Sequence, residues 1–588
     1  MYVFQKMQHR HMFASVLLVC AFFFAGCAFD FGNRNNEEEQ IVEAKRQSYA
    51  VKPVQGKKAY AVLLNPTLTP LKNIRYVAYA TGVSGFNAPP THRSANVDMP
   101  KITLPQNTHF RPKDGIQEFL AANKKGARFA MPAIENPVFA VTPITPVVDT
   151  TTKDIYIDTK IDITTGSISY EKKRATLKYG SGSTKCYVWL VDVYKGVVTE
   201  EQCKKVGETF DKTYELVRAV FGNESDKLIP FDAQTIDDFK PMTDYSDTGT
   251  KVNIVLYDIA PDASATTDEQ KANGVQGYFS GKDYYAFDKY NGKEETYSNK
   301  GKYFYVDAYA VKINPKECYS TLVHEFQHMI HLNQKTFSSK KSGGIATATW
   351  FNEMLSLLCE DALKEEINPG TPNGLQGRLQ NFNQYYWLSG IEYNTEDSSS
   401  AVIAYATLYT FGAYLARTYG GIDLIKEMST NAYADEAAII EAIKSCGHST
   451  TAGGKQLAMA QLLREFADDV LVGAASSGLK KNEFTWNSAP STYKYPLMPL
   501  DLCSDSYAWK NGTGSGKIDD ELFYNNVTGS GTFTGPLIFR PNARLTSRPL
   551  RPYGFLFYYL GTTDGSGQIT LDISAGAANQ EIMLVYED

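Results

Sequence analysis

The chain has 588 residues, 43% hydrophobic and 21% charged, which is enough apolar material to bury one or more cores and excludes a disordered or collagen-like polymer. At roughly 150 residues per domain there is room for about three or four domains. Acidic residues outnumber basic ones 65 to 59, a formal net charge of -6, and no long basic run occurs, which argues against a nucleic-acid-binding role. Tyrosine is abundant at 38 residues, whereas histidine is scarce at 8, and His324, His328 and His331 nevertheless fall close together.

In chain order, Lys6 and Arg10 precede an almost wholly apolar run at 12–25. That is too short to span a bilayer as a helix and suits the apolar region of an export signal, so residues 1–26 are expected to be removed. Phe24-Ala25-Gly26-Cys27 resembles the lipobox of bacterial lipoproteins, with Phe24 standing where the pattern prefers a smaller aliphatic residue. The resemblance implies acylation of Cys27 and attachment to a bacterial membrane surface, periplasmic or on the cell exterior. Without that processing the product is secreted. Residues 27–56 lack periodicity and read as a tether.

Residues 57–196 read as an N-terminal β-rich domain or pro-segment, with strands near 59–64, 154–158, 175–179 and 186–190. A mixed region at 197–480 follows. Thr199 and Gln202 form a capping-box pattern ahead of apolar residues at helical spacing from Val206 to Phe221. Strands are expected at 252–257 and 303–307, and Asn314-Pro315 opens a helix to about residue 333. The strand before that helix offers an edge to an extended substrate. A second helix runs from about 349 to 363, and helical patterns recur at 401–418, 434–445 and 455–472. Between them, Tyr385-Tyr386-Trp387 lies in an Asn/Gly/Ser-rich insert placed to shape a cleft. From 481 to 588 short strands return and predict a C-terminal β-sandwich. Six cysteines, at 186, 203, 318, 359, 446 and 503, are widely spaced, with no zinc-type pair and no pairing that spacing can assign.

The chemistry concentrates in His324-Glu325-Phe326-Gln327-His328. Four residues advance a helix by slightly more than one turn, so both imidazoles leave one face and can share a zinc ion, with Glu325 beside them to reach a water. With 8 histidines in the chain, one such match arises by chance at a rate on the order of 1%. A catalytic zinc takes three protein ligands and leaves one position open. The extended metzincin pattern wants glycine at His331 and histidine at Gln334, and both disagree. Glu353, in Trp350-Phe351-Asn352-Glu353, puts a carboxylate into an apolar helix 25 residues after His328, and completes a gluzincin set of two histidines and one glutamate. Glu360 and Asp361 are fallback ligands or supporting groups, and His331 is a neighbour of the site.

The motif His324–Ile330 with Trp350-Phe351-Asn352-Glu353 resembles the hyicolysin-type neutral zinc metallopeptidases of bacteria, over about half the chain, and departs from them at Met354-Leu355-Ser356-Leu357. The resemblance implies an α+β chain with a thermolysin-like catalytic domain that cleaves polypeptides internally. Zinc activates a water, Glu325 takes its proton, and a second donor meets the developing oxyanion. Tyr405 is the leading candidate for that donor, with Tyr409 and His448 as alternatives. The competing function is a surface-binding, adhesin-like lipoprotein whose zinc is structural. A general base beside the two histidines argues for catalysis.

Overall fold

The structure, a computed structural model, describes residues 45–50, 55–72, 74–84, 108–109, 144–162, 167–259, 265–290, 294–337, 347–370, 374–391, 398–472, 479, 482–502, 507–508, 532–533, 535–541, 549–574, 576 and 579–587. The export segment, Cys27, His92, Cys503 and the connection at 338–344 lie outside them. In chain order the main elements are strands β1 (Lys45–Ala50), β2 (Gln55–Leu64), β3 (Val77–Thr81), β4 (Val83–Ser84), β5 (Thr108–His109), β6 (Thr152–Asp162), β7 (Ser167–Tyr179) and β8 (Cys186–Val191), then helix α1 (Glu200–Phe221). Strands β9 (Val252–Tyr257), β10 (Val275–Phe279) and β11 (Lys302–Asp307) lead into helices α2 (Pro315–His331), α3 (Thr349–Ile367), α4 (Gly374–Tyr385) and α5 (Ser398–Tyr419). Helices α6 (Ile422–Thr430), α7 (Asp435–Ser445) and α8 (Met459–Val472) precede strands β12 (Phe555–Asp564), β13 (Gln568–Ile573) and β14 (Glu581–Tyr586).

The largest sheet has seven strands in the order β5-β10-β11-β9-β8-β7-β6. Its centre, β8, β9 and β11, is parallel and buried along its whole length, which is why these segments are mostly apolar and aromatic instead of alternating, with the buried Asn253 as the polar interruption of β9. β10 adds antiparallel to β11, and the β6–β7 hairpin adds antiparallel to β8 on the far side. One face, through Ile254, Leu256, Phe304 and Val306, belongs to the main core, and α1 and α2 pack there. The other face holds Trp189, Tyr257, Tyr278, Tyr303 and Tyr305 in a smaller core. There Tyr278 stacks on Tyr305 at 4.5 Å and its hydroxyl lies 2.9 Å from that of Tyr257, which bonds Asp158.

Both edges of β11 are taken, by β9 and β10, so the strand before the motif helix has no edge to offer a substrate, contrary to the sequence expectation. The peripheral strand lying along α2 is β10. Its outer side pairs in parallel with Thr108 and His109, two residues of the N-terminal region.

The helices follow their sequence signals closely. Thr199 and Gln202 form the reciprocal capping box of α1. Pro315 opens α2 at the first helical position, with Asn314 at the N-cap, although the Asn314 side chain makes no capping bond. Before it, Asp307 at the end of β11 caps a short helix, Ala308–Ile313, accepting from Ala310 N at 2.7 Å, and it also accepts from Ile259 N at 2.9 Å. Phe326 of α2 packs on Phe210 and Tyr214 of α1, with ring centroids 5.0 and 5.2 Å apart.

The strands at the two ends of the chain pair with each other. β13 lies between β1 and β3, and β2 lies between β14 and β12, which also pairs with β4. The sequence reading separates an N-terminal β unit from a C-terminal sandwich; the pairing crosses between them, because Tyr60–Leu64 and Phe555–Leu560 are both buried strands that need partners on either side. The described residues fall in one compact unit. Among them Cys186, Cys203, Cys318, Cys359 and Cys446 are free thiols, and no helix is long and apolar enough to cross a membrane.

Candidate metal centre

α2 is buried from Thr321 to His331, and α3 returns across it. The crossing brings His324, His328 and Glu353 together, with one ligand atom from each inside a span of 4.8 Å. Glu353 Oε2 lies 3.3 Å from His324 Nε2 and 3.5 Å from His328 Nε2. Three donors placed about 2.0–2.1 Å from one ion at tetrahedral angles stand roughly 3.3 Å apart, so the triad has the dimensions of a zinc ligand set. Glu353 Oε2 is buried and makes no hydrogen bond of good geometry, as a ligand oxygen would.

The rear nitrogens of both imidazoles are occupied. His324 Nδ1 is 2.8 Å from Glu360 Oε1. A carboxylate only accepts, so Nδ1 carries a proton in either charge state, and Nε2, facing Glu353, is the nitrogen that a metal would take. His328 Nδ1 is 3.0 Å from Asn352 Oδ1 and 3.0 Å from Ser356 Oγ, and Ser356 in turn bonds Gln327 Oε1. The same tautomer results, with Nε2 facing the carboxylate.

Three carboxylates, Glu325, Glu353 and Glu360, are buried around two imidazoles. Burial disfavours the charged form of His324, but Glu353 and Glu360 outweigh it and push its pKa up to about 10. Burial by itself raises Glu353, yet His328 and His324 hold it well below the ordinary carboxylate range. The pocket therefore demands positive charge, which a proton supplies in the metal-free chain and a divalent cation would supply in its place. Glu325 is pushed up to about 7, first by burial and further by Glu353 and Glu360, against the pull of both histidines. It faces β10: a Cβ on Gly277 would come within 3.3 Å of Glu325 Cγ.

Tyr405, on α5, stands edge-on to His324 with ring centroids 6.5 Å apart. The two alternatives have other neighbours. Tyr409 sits under Arg378, whose guanidinium carbon is 5.9 Å from its ring, and His448 packs on Tyr419 at 5.4 Å. Tyr419 is 14 residues beyond Tyr405 on α5, about 21 Å along a helix at 1.5 Å per residue, which removes His448 from the centre. His331 Nε2 bonds Thr347 Oγ1 at 2.9 Å and lies outside the triad. Of the fallback ligands, Glu360 supports His324, and Asp361 pairs with the buried Arg417 at 2.9 Å. Tyr385, Tyr386 and Trp387 are buried: Tyr386 stacks on Phe555 of β12 at 5.4 Å and lies tilted against Phe557 at 4.7 Å, and Trp387 meets Phe539 at 5.8 Å.

Asn352, Ser356, Gly277 and Arg378 belong to this environment and carry no motif of their own. A signal for the first two was present: Asn352, Ser356 and Glu360 recur at i, i+4 and i+8 in an otherwise apolar stretch of α3, a polar stripe on one helix face beside the ligand. Ser356 falls within the segment that departs from the hyicolysin-type pattern.

Residues 247–497 match the Peptidase M30 family. The chain is also 29% identical over 290 residues to the Neutral metalloprotease ShpI of Staphylococcus hyicus, covering 47% of this chain and 54% of that protein. It thus spans about half the length of the curated relative it matches. The matched family segment takes in β9 to β11 and all the helices from α2 onward and leaves out the strands at both ends. Both likenesses are to proteins described as peptidases, one of them a metalloprotease.

Proposed function

From this likeness to metalloproteases we propose that the chain is a zinc metalloendopeptidase, exported and held to a bacterial membrane surface by lipid on Cys27, acting on polypeptide substrates. The observation that carries the reading is the closed triad His324, His328 and Glu353 with a buried carboxylate, Glu325, beside it. Zinc held there would polarise the scissile carbonyl and lower the pKa of the attacking water toward about 7. Glu325, with its own pKa near that value, accepts the proton of the attacking water and returns it to the leaving amine. Tyr405 donates its hydroxyl to the oxyanion as the carbonyl becomes tetrahedral. Glu360, Asn352 and Ser356 keep both Nε2 atoms turned toward the ligand site. Export and anchoring are supported by the charged start, the apolar run and Cys27.

Zinc content and casein hydrolysis of the purified mature chain, beside its Glu325→Gln variant, test the mechanism. Equal zinc in both, with hydrolysis reduced by about 100-fold or more in the variant, is expected. Equal hydrolysis by both would overturn the role of Glu325, and no cleavage by either with zinc bound would favour a non-proteolytic, surface-binding lipoprotein.

A further inference from the structure

Arg378 lies on α4, which carries no metal ligand, yet its Nη2 sits between the two oxygens of Glu360, 3.1 Å from Oε1 and 2.9 Å from Oε2. The same Oε1 is 2.8 Å from His324 Nδ1. Guanidinium, carboxylate and imidazole therefore form a chain that ends at Nε2, the donor atom of the triad. The Glu360 and Arg378 side chains are only 7% and 18% exposed, so the carboxylate has little water to hold it and relies on protein partners, these two among them.

A carboxylate accepting from the rear nitrogen of a ligand histidine selects the tautomer and fixes the ring. A carboxylate that rotates freely does neither. Glu360 is buried together with Glu325 and Glu353, and a buried carboxylate needs cationic or hydrogen-bonding partners on its oxygens. Arg378 supplies the cation. It is itself located from outside the ligand-bearing helices: Asn383 of α4 bonds the Leu502 carbonyl at 2.6 Å, and Tyr386 at the end of α4 bonds the Leu537 carbonyl at 2.7 Å and stacks on β12.

We infer that Arg378 is a positioning residue of the metal centre, which sets metal affinity by holding Glu360 against His324. The inference rests on the metallopeptidase reading above and names a residue that neither the motif nor the ligand geometry assigns. The test uses the full mature chain and zinc itself. Zinc affinity is measured by competition with a chromogenic chelator for wild type, Arg378→Met, Arg378→Lys, Glu360→Gln, the double variant Arg378→Met/Glu360→Gln, and Glu353→Gln as the ligand control, with thermal unfolding of each metal-free form.

Arg378→Met is expected to bind zinc about 10-fold more weakly, the lower end of the usual loss for an outer partner of a ligand histidine. Arg378→Lys, which retains the charge, is expected to lie closer to wild type. In the Glu360→Gln background the Arg378 substitution should cost little more, because its effect passes through Glu360. Unchanged affinity in Arg378→Met, or a full additional loss in the double variant, overturns the inference. So does an affinity loss that Lys does not relieve and that follows metal-free unfolding temperature across the series, since that is the pattern of mere destabilisation. Should Arg378→Met not fold, the Arg378→Lys and Glu360→Gln comparison carries the same decision. If wild type binds zinc no better than Glu353→Gln, the metal-site reading itself has failed, which is a distinct result.

Discussion

Partners decide what a buried carboxylate does, and two glutamates and two aspartates near the motif show the range. Glu353 faces two imidazole nitrogens; Glu360 has an imidazole and a guanidinium; Asp361, the next residue, turns to Arg417. Asp307 has only backbone donors. Burial pushes it up from 3.8 to about 8, and the amides of Ile259 and Ala310 offset only part of that. Because the native state binds this proton more tightly than the unfolded chain, its contribution to stability is fully present below about pH 4 and is lost as pH rises through about 8. Asp307→Asn keeps a neutral acceptor for the cap, so thermal unfolding curves across pH 5–8 should fall less steeply for the variant than for wild type. Parallel curves would show that Asp307 ionises normally in the fold.

The elements around the centre are spaced by what their backbones allow. β10 runs along α2, and at Gly277 an added Cβ would meet Thr321 Cγ2 at 2.5 Å and the Tyr305 carbonyl at 2.9 Å. The carbonyl belongs to the paired strand β11 and cannot swing away as a side chain would. Behind the sheet, the stacking of Tyr278 on Tyr305 and its contact with Tyr257 hold β10 from the other side. Gly277→Ala is therefore expected to cost about 1–3 kcal/mol, the usual range for overpacking a tight contact, and to lower hydrolysis by displacing the strand from Glu325. Urea unfolding with a parallel activity assay checks this. A variant as stable and active as wild type would mean the two elements can separate freely. Lys335 secures the far end of α2, just past its C-terminus, by donating to the carbonyls of Met428, Asn431 and Tyr433 at 2.8, 3.0 and 2.7 Å.

At the scale of the whole molecule, the chain closes on itself. Each end sheet alternates N-terminal with C-terminal strands, and Arg464 of α8 ties β14 to the helices through Glu581 at 2.7 Å. The peptidase-like segment therefore does not end the fold where the family match ends. A chain stopped after residue 497 would leave β1 and β2 without strand partners and Phe382 and Tyr386 without Phe555 and Phe557. It should be recovered as insoluble or protease-sensitive material, whereas the mature chain is recovered folded. Limited proteolysis and circular dichroism of both distinguish the outcomes, and a folded, zinc-binding 1–497 product would show the end sheets to be dispensable.

Local physics made much of this molecule legible in the sequence. The capping box at Thr199, Pro315 at the first turn of α2 and the spacing of His324 and His328 are interactions within a few residues, so the chain itself specifies them. The same holds for the largely apolar runs of β8, β9 and β11. Glu353 was accessible too, as a carboxylate whose burial had to be compensated. What depended on distant residues was not. The pairing of β2 with β12 joins segments almost 500 residues apart, and an extended apolar run says that it needs a neighbour without saying which. Loop closure adds little discrimination, since each doubling of a loop costs only about 0.6 kcal/mol. Tyr386 was read as a cleft residue because its aromatic surface fits a core equally well, and only the arrival of Phe555 and Phe557 decides between them. Arg378 bears no mark in its own helix. The sequence by itself determined which atoms can hold a metal, because that chemistry resides in two helical turns; only the tertiary structure decided which carboxylate stands behind His324 and which pairs with Arg417, because each role is set by the partner brought against it.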